Sequence, residues 1–189
     1  MTTDIIIAGV GGQGTVLAGR IISQVAQLAG LDVKVSEIHG MSQRGGSVVT
    51  QVRFGEKILS PLVYPGAVNY ILAFELLEGL RVAPLLAADG AIIVNDQKLE
   101  PVTVLSGRME YPADAKADIA AVRPQAVFAD ALALAKEAGT AKAVNLVLLG
   151  WLSQQLDFAE ELWLDAIAAC VKPKFIEINK KAFALGRAL

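Results

Sequence analysis

The order of hydrophobic and polar residues predicts a strand, a helix and a second strand at the start of the chain. Residues 4–8 form a short isoleucine-rich run, and residues 15–29 place apolar side chains at helical spacing. Gly30 follows as a helix-ending residue, and residues 32–37 predict the next strand. The chain therefore opens like a Rossmann-type β-α-β unit.

The middle of the chain predicts further sheet strands. Residues 48–54 alternate in polarity as a strand does, and residues 55–57 predict a turn with a hairpin return at residues 58–59. Short apolar runs predict additional strands at 70–74, 91–94, 102–105 and 127–128. A helix is expected over residues 76–87, and Pro84 is expected to kink or divide it.

The last third of the chain changes character. Helical periodicity is expected over residues 130–138, 143–156, 159–171 and 173–188. The fold class that follows is α/β: a Rossmann-like mixed sheet flanked by helices, with a helical carboxy-terminal portion, in one domain spanning residues 1–189.

Composition narrows the class of protein. Hydrophobic residues make up 54% of the chain, yet no apolar run approaches the ~18 residues of a membrane helix. We therefore interpret the surplus apolar surface as a subunit interface. The net charge of -2 argues against nucleic acid as the main partner. Its amino terminus lacks a signal-like segment, which predicts a cytoplasmic protein. A single cysteine, Cys170, is expected to be a buried, inert thiol.

The first motif is the glycine loop GVGGQG after the first strand. It consists of Gly9, Gly11, Gly12, Gln13 and Gly14. Its G-x-G-x-x-G spacing is compatible with a dinucleotide site, with Glu37 at the end of the second strand as the ribose-binding acid. A structural turn or a different anionic ligand explains the same glycines, and Gln13 departs from the usual small residue. These alternatives stay open at this point.

The second motif, HGMSQRGGS, concentrates polar groups in one loop between two strands. Its candidate residues are His39, Ser42, Gln43, Arg44, Gly45 and Gly46. Arg44 is suited to hold a carboxylate or phosphate, and His39 is the only histidine of the chain. A plain surface turn is the alternative interpretation. No catalytic residue and no metal ligand set can be assigned from the sequence, so the chain looks under-equipped as a self-sufficient enzyme.

Together the two glycine motifs, with NLVLLGWL at residues 145–152, resemble the gamma-type subunit or domain of 2-oxoacid:ferredoxin oxidoreductases. The HGMSQRGG form is most similar to the indolepyruvate type. The resemblance covers nearly the whole chain, so residues 1–189 would be one such domain.

The resemblance implies a function. The complex would convert a 2-oxoacid and coenzyme A to an acyl-CoA while reducing ferredoxin. Thiamine diphosphate and iron–sulfur clusters would be carried by large partner subunits, and ferredoxin would meet the complex rather than this chain alone. Coenzyme A could contact residues 11–14, and the second motif would face the partner.

Rival interpretations remain. The chain could be a generic 2-ketoacid oxidoreductase gamma subunit that acts mainly in assembly, or an assembly protein without any ligand. It could also be a stand-alone NAD(P)-dependent dehydrogenase that uses residues 9–14 and Glu37. The apolar composition predicts that the isolated chain forms a homodimer.

Overall fold

A mixed sheet forms the centre of the protein in the computed structural model, which describes residues 2–39 and 45–189. Its six strands have the order β2-β3-β1-β4-β5-β6. Their bounds are β1 Thr2–Val10, β2 Asp32–His39, β3 Ser47–Gly55, β4 Val68–Ala73, β5 Leu86–Asn95 and β6 Val127–Ala129.

Strand direction divides the sheet into two parts. β1, β4, β5 and β6 are parallel, whereas β3 is antiparallel to both β1 and β2. β3 therefore lies between β1 and β2, so the first two strands along the chain are not neighbours, unlike those of a Rossmann β-α-β unit. β2 and β3 form an antiparallel pair at the sheet edge, and the second glycine motif lies between them in the sequence.

Helices cover both faces of the sheet. Their bounds are α1 Thr15–Leu28, α2 Leu76–Val82, α3 Val102–Leu105, α4 Ala115–Val122, α5 Ala131–Ala138, α6 Val144–Ser153, α7 Glu160–Cys170 and α8 Ile176–Arg187. α1 and the helices from α5 onward share one apolar core with the sheet, and α2 and α4 share the other. None of the helices among the described residues is long and apolar enough to span a bilayer.

The larger core explains the helical carboxy-terminal part. Trp163 of α7 is fully buried and stacks on Phe183 of α8 with ring centroids 5.8 Å apart. Phe158 connects Trp163 to Phe54 of β3. These aromatic contacts join the last helices to the sheet. The α/β class, the mixed sheet and the helical carboxy-terminal portion predicted from the sequence are confirmed.

The predicted hairpin return at residues 58–59 is wrong. After β3 the chain forms an irregular segment, because side chains rather than a neighbouring strand satisfy its backbone. Arg53 Nη1 donates to the carbonyls of Ser60 at 3.0 Å and Leu62 at 2.8 Å. The amide of Ile58 donates to Asp32 Oδ2 at 2.8 Å.

The predicted strand at residues 102–105 is also wrong. These residues form the short helix α3 after Pro101, and the amide of Leu105 donates to the Pro101 carbonyl at 3.1 Å. Their apolar side chains are largely exposed, because the segment lies outside the sheet. The β-branched composition misled the prediction, since local propensity yields to tertiary context.

The helix predicted at residues 76–87 is shorter than expected. α2 ends at Val82, a 3-10 turn that contains Pro84 follows, and β5 begins at Leu86. Pro84 thus ends the helix, as the missing amide of proline requires.

Candidate functional site

The two glycine motifs meet at one edge of the sheet. Val10 at the end of β1 pairs with Ser47 at the start of β3, so the residues that follow and precede them come together. The amide of Gly11 donates to the carbonyl of Gly46 at 2.8 Å, and the amide of Gly45 donates to the carbonyl of Gly11 at 3.4 Å. Motifs that are distant in sequence therefore form one surface.

Gln13 fixes the shape of the first glycine loop. Its Oε1 accepts from the amide of Val10 at 2.7 Å, and its Nε2 donates to the carbonyl of Phe74 at 3.1 Å. A Cβ at Gly9 would lie 2.9 Å from Gln13 Oε1, so the folded-back glutamine requires glycine there. Gly12 and Gly14 have φ of 103° and 91°, a conformation that glycine adopts without strain.

The same side chain spans the crevice where doubly wound sheets usually bind ligands. β1 leads to α1 on one face and β4 leads to α2 on the other, so the strand order switches between these two parallel strands. The Gln13 amide connects the ends of β1 and β4 across that gap. The folded-back amide therefore occupies part of that crevice.

Two cavities lie beside the loop. The first, of about 380 Å³, is lined by Gly11, Gly12, Gly14, Thr15, Val16, Leu17, Arg20 and Val48. The second, of about 470 Å³, continues past Leu17 and includes Gln97, Lys142 and Asn145. Both therefore adjoin the amino terminus of α1 and are open to solvent.

The amino terminus of α1 favours a negatively charged group. Gly14 provides no side-chain cap, and the first turn of the helix contains no acidic residue. The first intrahelical bond at this end runs from the amide of Ala18 to the carbonyl of Gly14, so the helix amides before Ala18 have no intrahelical partner. Arg20 and Lys142 add positive charge at the cavity walls.

Asn145, which lies far from this loop in the sequence, packs against it in the fold. It is buried in the first turn of α6, and its Nδ2 lies 3.1 Å from the position of a Cβ at Gly14. Its Oδ1 accepts from the amide of Leu146. The asparagine of the NLVLLGWL segment thus belongs to the site and leaves little room beside Gly14, whose positive φ already favours glycine.

Glu37 does not join the glycine loop. In the strand register Glu37 is level with Thr50, which is level with Ile7, and two strand spacings separate it from β1. At ~4.8 Å per spacing it lies about 10 Å away in the sheet. It lines a different cavity with Arg20 and Cys170, so the expected ribose-binding arrangement of the dehydrogenase alternative is not formed.

Residues 40–44 of the second motif lie outside the described residues, and the candidates Ser42, Gln43 and Arg44 are among them. The backbone of His39 pairs with Val48 at the end of β2, and Gly45 and Gly46 take the positions given above. The roles expected for Arg44 and His39 stay predictions.

The sequence analysis missed two buried acids. Glu75 caps α2, its Oε2 accepting from the amide of Glu78, and both side chains are fully buried. Glu78 accepts from Ser47 Oγ and, at 2.6 Å, from Arg81 Nη1. Burial raises the pKa of Glu78, although its bonds to Ser47 and Arg81 oppose the rise. Two glutamates three positions apart in an apolar run were the available signal.

Glu75 also holds the segment formed by residues 97–111, which we call the strap. Its Oε1 accepts from the amide of Leu99 at 3.1 Å and from the hydroxyl of Tyr111. Burial, with that bond to Glu75, raises the pKa of Tyr111 above its ordinary value. The amide of Val102 donates to the Gly45 carbonyl at 2.7 Å, so the strap borders the site.

Cys170 differs from its prediction. It is partly exposed at the end of α7 rather than buried, because it lines two cavities. Partial burial still raises the pKa of its thiol. Among residues 2–39 and 45–189, no cluster of three or more histidine, cysteine or acidic side chains could hold a metal ion.

One relative, two solved structures and one family model are similar to this chain. The indolepyruvate oxidoreductase subunit IorB of Thermococcus kodakarensis is 41% identical over 188 residues, 97% of this chain and 93% of that protein. The gamma subunit of a keto/oxoacid ferredoxin oxidoreductase from Geobacter sulfurreducens has a TM-score of 0.72 at 24% identity, covering 97% of this chain and 95% of that one.

A second similar structure is the 2-oxoglutarate:ferredoxin oxidoreductase of Magnetococcus marinus with 2-oxoglutarate, coenzyme A and succinyl-CoA bound. It has a TM-score of 0.72 at 20% identity and covers 99% of this chain but 30% of that one. At such identities these two structures establish the fold. A family model described as pyruvate ferredoxin/flavodoxin oxidoreductase matches residues 4–189. With that match and the IorB relative, the chain belongs to the pyruvate ferredoxin/flavodoxin oxidoreductase family.

Proposed function

We propose that this chain is the small subunit of a 2-oxoacid:ferredoxin oxidoreductase that acts on an arylpyruvate such as indolepyruvate. The observation that carries the proposal is the meeting of the two glycine motifs, through Gly11 and Gly46, beside a positively lined cavity. The relationship to IorB over almost the whole length supports the choice of substrate class. Residues 1–189 would form one gamma-type domain throughout.

The proposed reaction breaks the bond between the carboxylate and the keto carbon of the 2-oxoacid. Carbon dioxide leaves, the acyl group passes to the thiol of coenzyme A, and two electrons pass to ferredoxin. Thiamine diphosphate and iron–sulfur clusters would supply this chemistry from the large partner subunits. The complex would work in the cytoplasm, and neither nucleic acid nor a membrane is a proposed partner.

The role of this chain would be to hold coenzyme A. Coenzyme A carries several phosphates, and free helix amides with nearby cations bind phosphate. The first turn of α1, Arg20 and Lys142 provide such groups in the two cavities beside the glycine loop. The similar structure from Magnetococcus marinus has coenzyme A bound, which makes it the ligand to test first.

The test is an anoxic affinity purification of the tagged chain from its own host. The eluate is assayed for iron, thiamine diphosphate and dye reduction with indolepyruvate, phenylpyruvate, pyruvate or 2-oxoglutarate, with and without coenzyme A. We expect a large iron-containing partner and activity that is highest with an arylpyruvate. Equal activity with all four acids would favour the generic gamma subunit, and a solitary chain that binds NAD(P) would overturn the proposal.

Replacing Arg20 tests the proposed coenzyme A site directly. Arg20→Ala in the complex should raise KM for coenzyme A by roughly 10- to 100-fold, because a hydrogen bond to a charged group contributes roughly 1.5–3 kcal/mol. KM for the 2-oxoacid should change little. Lys136→Ala, which removes an exposed positive charge on α5, is the matched control. An unchanged KM for coenzyme A in Arg20→Ala would remove this residue from the site.

A further inference from the structure

We propose that Glu75 and Glu78 are positioning residues that hold residues 45–47, at the end of the second glycine motif, and the strap in one fixed arrangement at the mouth of the site. This inference rests on the proposed function for its kinetic consequences. Its physical basis is a network of contacts in which two buried carboxylates connect three separate parts of the chain.

The length of the Glu75 side chain is the first indication that this residue does more than cap α2. Asparagine, aspartate and serine are the preferred residues at a helix amino-terminal cap, and each would satisfy the amide of Glu78. Glu75 uses Oε2 for that bond and extends Oε1 to the amide of Leu99 and the hydroxyl of Tyr111. The longer side chain thus reaches both ends of the strap, which capping alone does not require.

Glu78 makes the corresponding connection to the second glycine motif. Its Oε2 accepts from Ser47 Oγ, and Ser47 follows directly on Gly46. Gly46 in turn accepts from the amide of Gly11 at 2.8 Å. A fully buried carboxylate therefore determines where β3 begins, and with it the contact between the two glycine motifs.

The strap completes the network. The amide of Val102 donates to the carbonyl of Gly45 at 2.7 Å, and Arg81, the partner of Glu78, donates from Nη2 to Met109 Sδ at 2.9 Å. The Lys98 ammonium lies 4.5 Å from the ring centre of Tyr111. The strap is thus held at its ends by Glu75, near Met109 by Arg81, and at its middle by the glycine motif.

Burying these groups is costly unless every oxygen is satisfied. Glu78 pairs with one adjacent guanidinium, Arg81, whereas Glu75 has no ion pair among the residues that the structure describes. The hydrogen bonds of both carboxylates go to backbone or side chains of the parts they join. Removing one such bond therefore should loosen the mouth of the site at a distance from the change.

The first experiment uses hydrogen exchange on the isolated chain, which needs no partner. Ser47→Ala breaks the connection from Glu78 to β3, and Tyr111→Phe breaks one from Glu75 to the strap. We expect each variant to speed exchange at both the Gly11 and Val102 amides by about tenfold, since losing a bond to a charged group eases local opening. Amides of α6 should not change.

Matched controls separate the network from the general effect of losing a hydroxyl. Ser23→Ala removes a hydroxyl that bonds the Gly19 carbonyl within α1, and Tyr64→Phe removes an exposed phenol. Ser47→Thr keeps the hydroxyl and should restore slow exchange. If Tyr111→Phe affects only the strap and Ser47→Ala affects only the glycine motif, the proposal is overturned.

The second experiment measures kinetics in the reconstituted complex. Ser47→Ala and Tyr111→Phe should each raise KM for coenzyme A about fivefold while kcat changes less than twofold, a division that lower stability alone would not produce. The double variant should raise KM by less than the product of the single effects, because both act on one network.

Unchanged KM values with a lower melting temperature would show a structural role only. A wild-type complex without coenzyme A-dependent activity would refute the proposed function, whereas the exchange data would still decide on the network.

Discussion

At the scale of single residues, Gln13 changes what a familiar loop can do. A G-x-G-x-x-G sequence predicts a phosphate-binding turn, but the glutamine folds back between the amide of Val10 and the carbonyl of Phe74. It joins the ends of two parallel strands across the gap that a dinucleotide would approach. The residue that looked like a departure from the motif is therefore the one that bridges this gap.

Glu78 provides a prediction at this scale that depends on pH. Burial raises its pKa in the folded protein above the ordinary value of 4.5, so the folded state holds the proton more tightly than the unfolded chain. The stability contributed by the protonated form is complete below 4.5 and is lost as pH rises through the folded pKa. Each unit of difference between the two pKa values corresponds to about 1.4 kcal/mol.

Glu78→Gln, whose side chain does not ionise, isolates the pH-dependent stability that Glu78 contributes. The free energy of unfolding of the wild type, minus that of Glu78→Gln, should fall as pH increases from about 4.5 towards neutrality. Urea unfolding at a series of pH values measures it. Glu56→Gln, in the exposed segment after β3, is the control for removing a surface charge. A difference that rises with pH would contradict the prediction.

At the scale of elements, α6 and α8 form the tightest contact between two helices. Every residue of α6 is buried, and a Cβ at Gly150 would lie 2.7 Å from the amide nitrogen of Arg187 and closer still to the Phe183 carbonyl. A Cβ at Gly186 would meet the backbone of Val147 in the same way. The two glycines permit the helix backbones to touch, which keeps α6, and Asn145 with it, in place.

Gly150→Ala should therefore destabilise the chain by about 1–3 kcal/mol or more, because added volume in a packed contact forces the helices apart. Urea unfolding of the isolated chain is the measurement. Ala184→Gly, at an exposed position of α8, is the control, and should cost about 1 kcal/mol through helix propensity alone. Greater stability in Gly150→Ala, which an isolated helix would show, would mean that the contact is looser than described.

At the scale of the whole molecule, large apolar side chains remain on the surface. Exposure is 87% for Leu59, 69% for Tyr64 and 70% for Leu105, the last of these on the strap. Such side chains favour contact with another protein when they cluster. They are consistent with a chain that works inside a larger assembly, which agrees with its family.

The isolated chain should accordingly associate with itself, as its composition also predicted. Light scattering between micromolar and millimolar concentration should show a homodimer, and added salt should not dissociate it, since apolar burial rather than ion pairing holds it. A clean monomer at the highest concentration would argue against association.

The sequence by itself determined the glycine loop, the strand and the helix that flank it, the α/β class and the family resemblance, because these depend on local spacing and residue type. The tertiary structure alone decided that β3 lies between β1 and β2, since strand order depends on contacts between distant residues. It also showed that residues 58–59 and 102–105 are not strands, because Arg53 and Gly45 satisfy nearby backbone groups instead. The buried pair Glu75 and Glu78 became visible only in three dimensions, where each carboxylate meets partners far away in the chain.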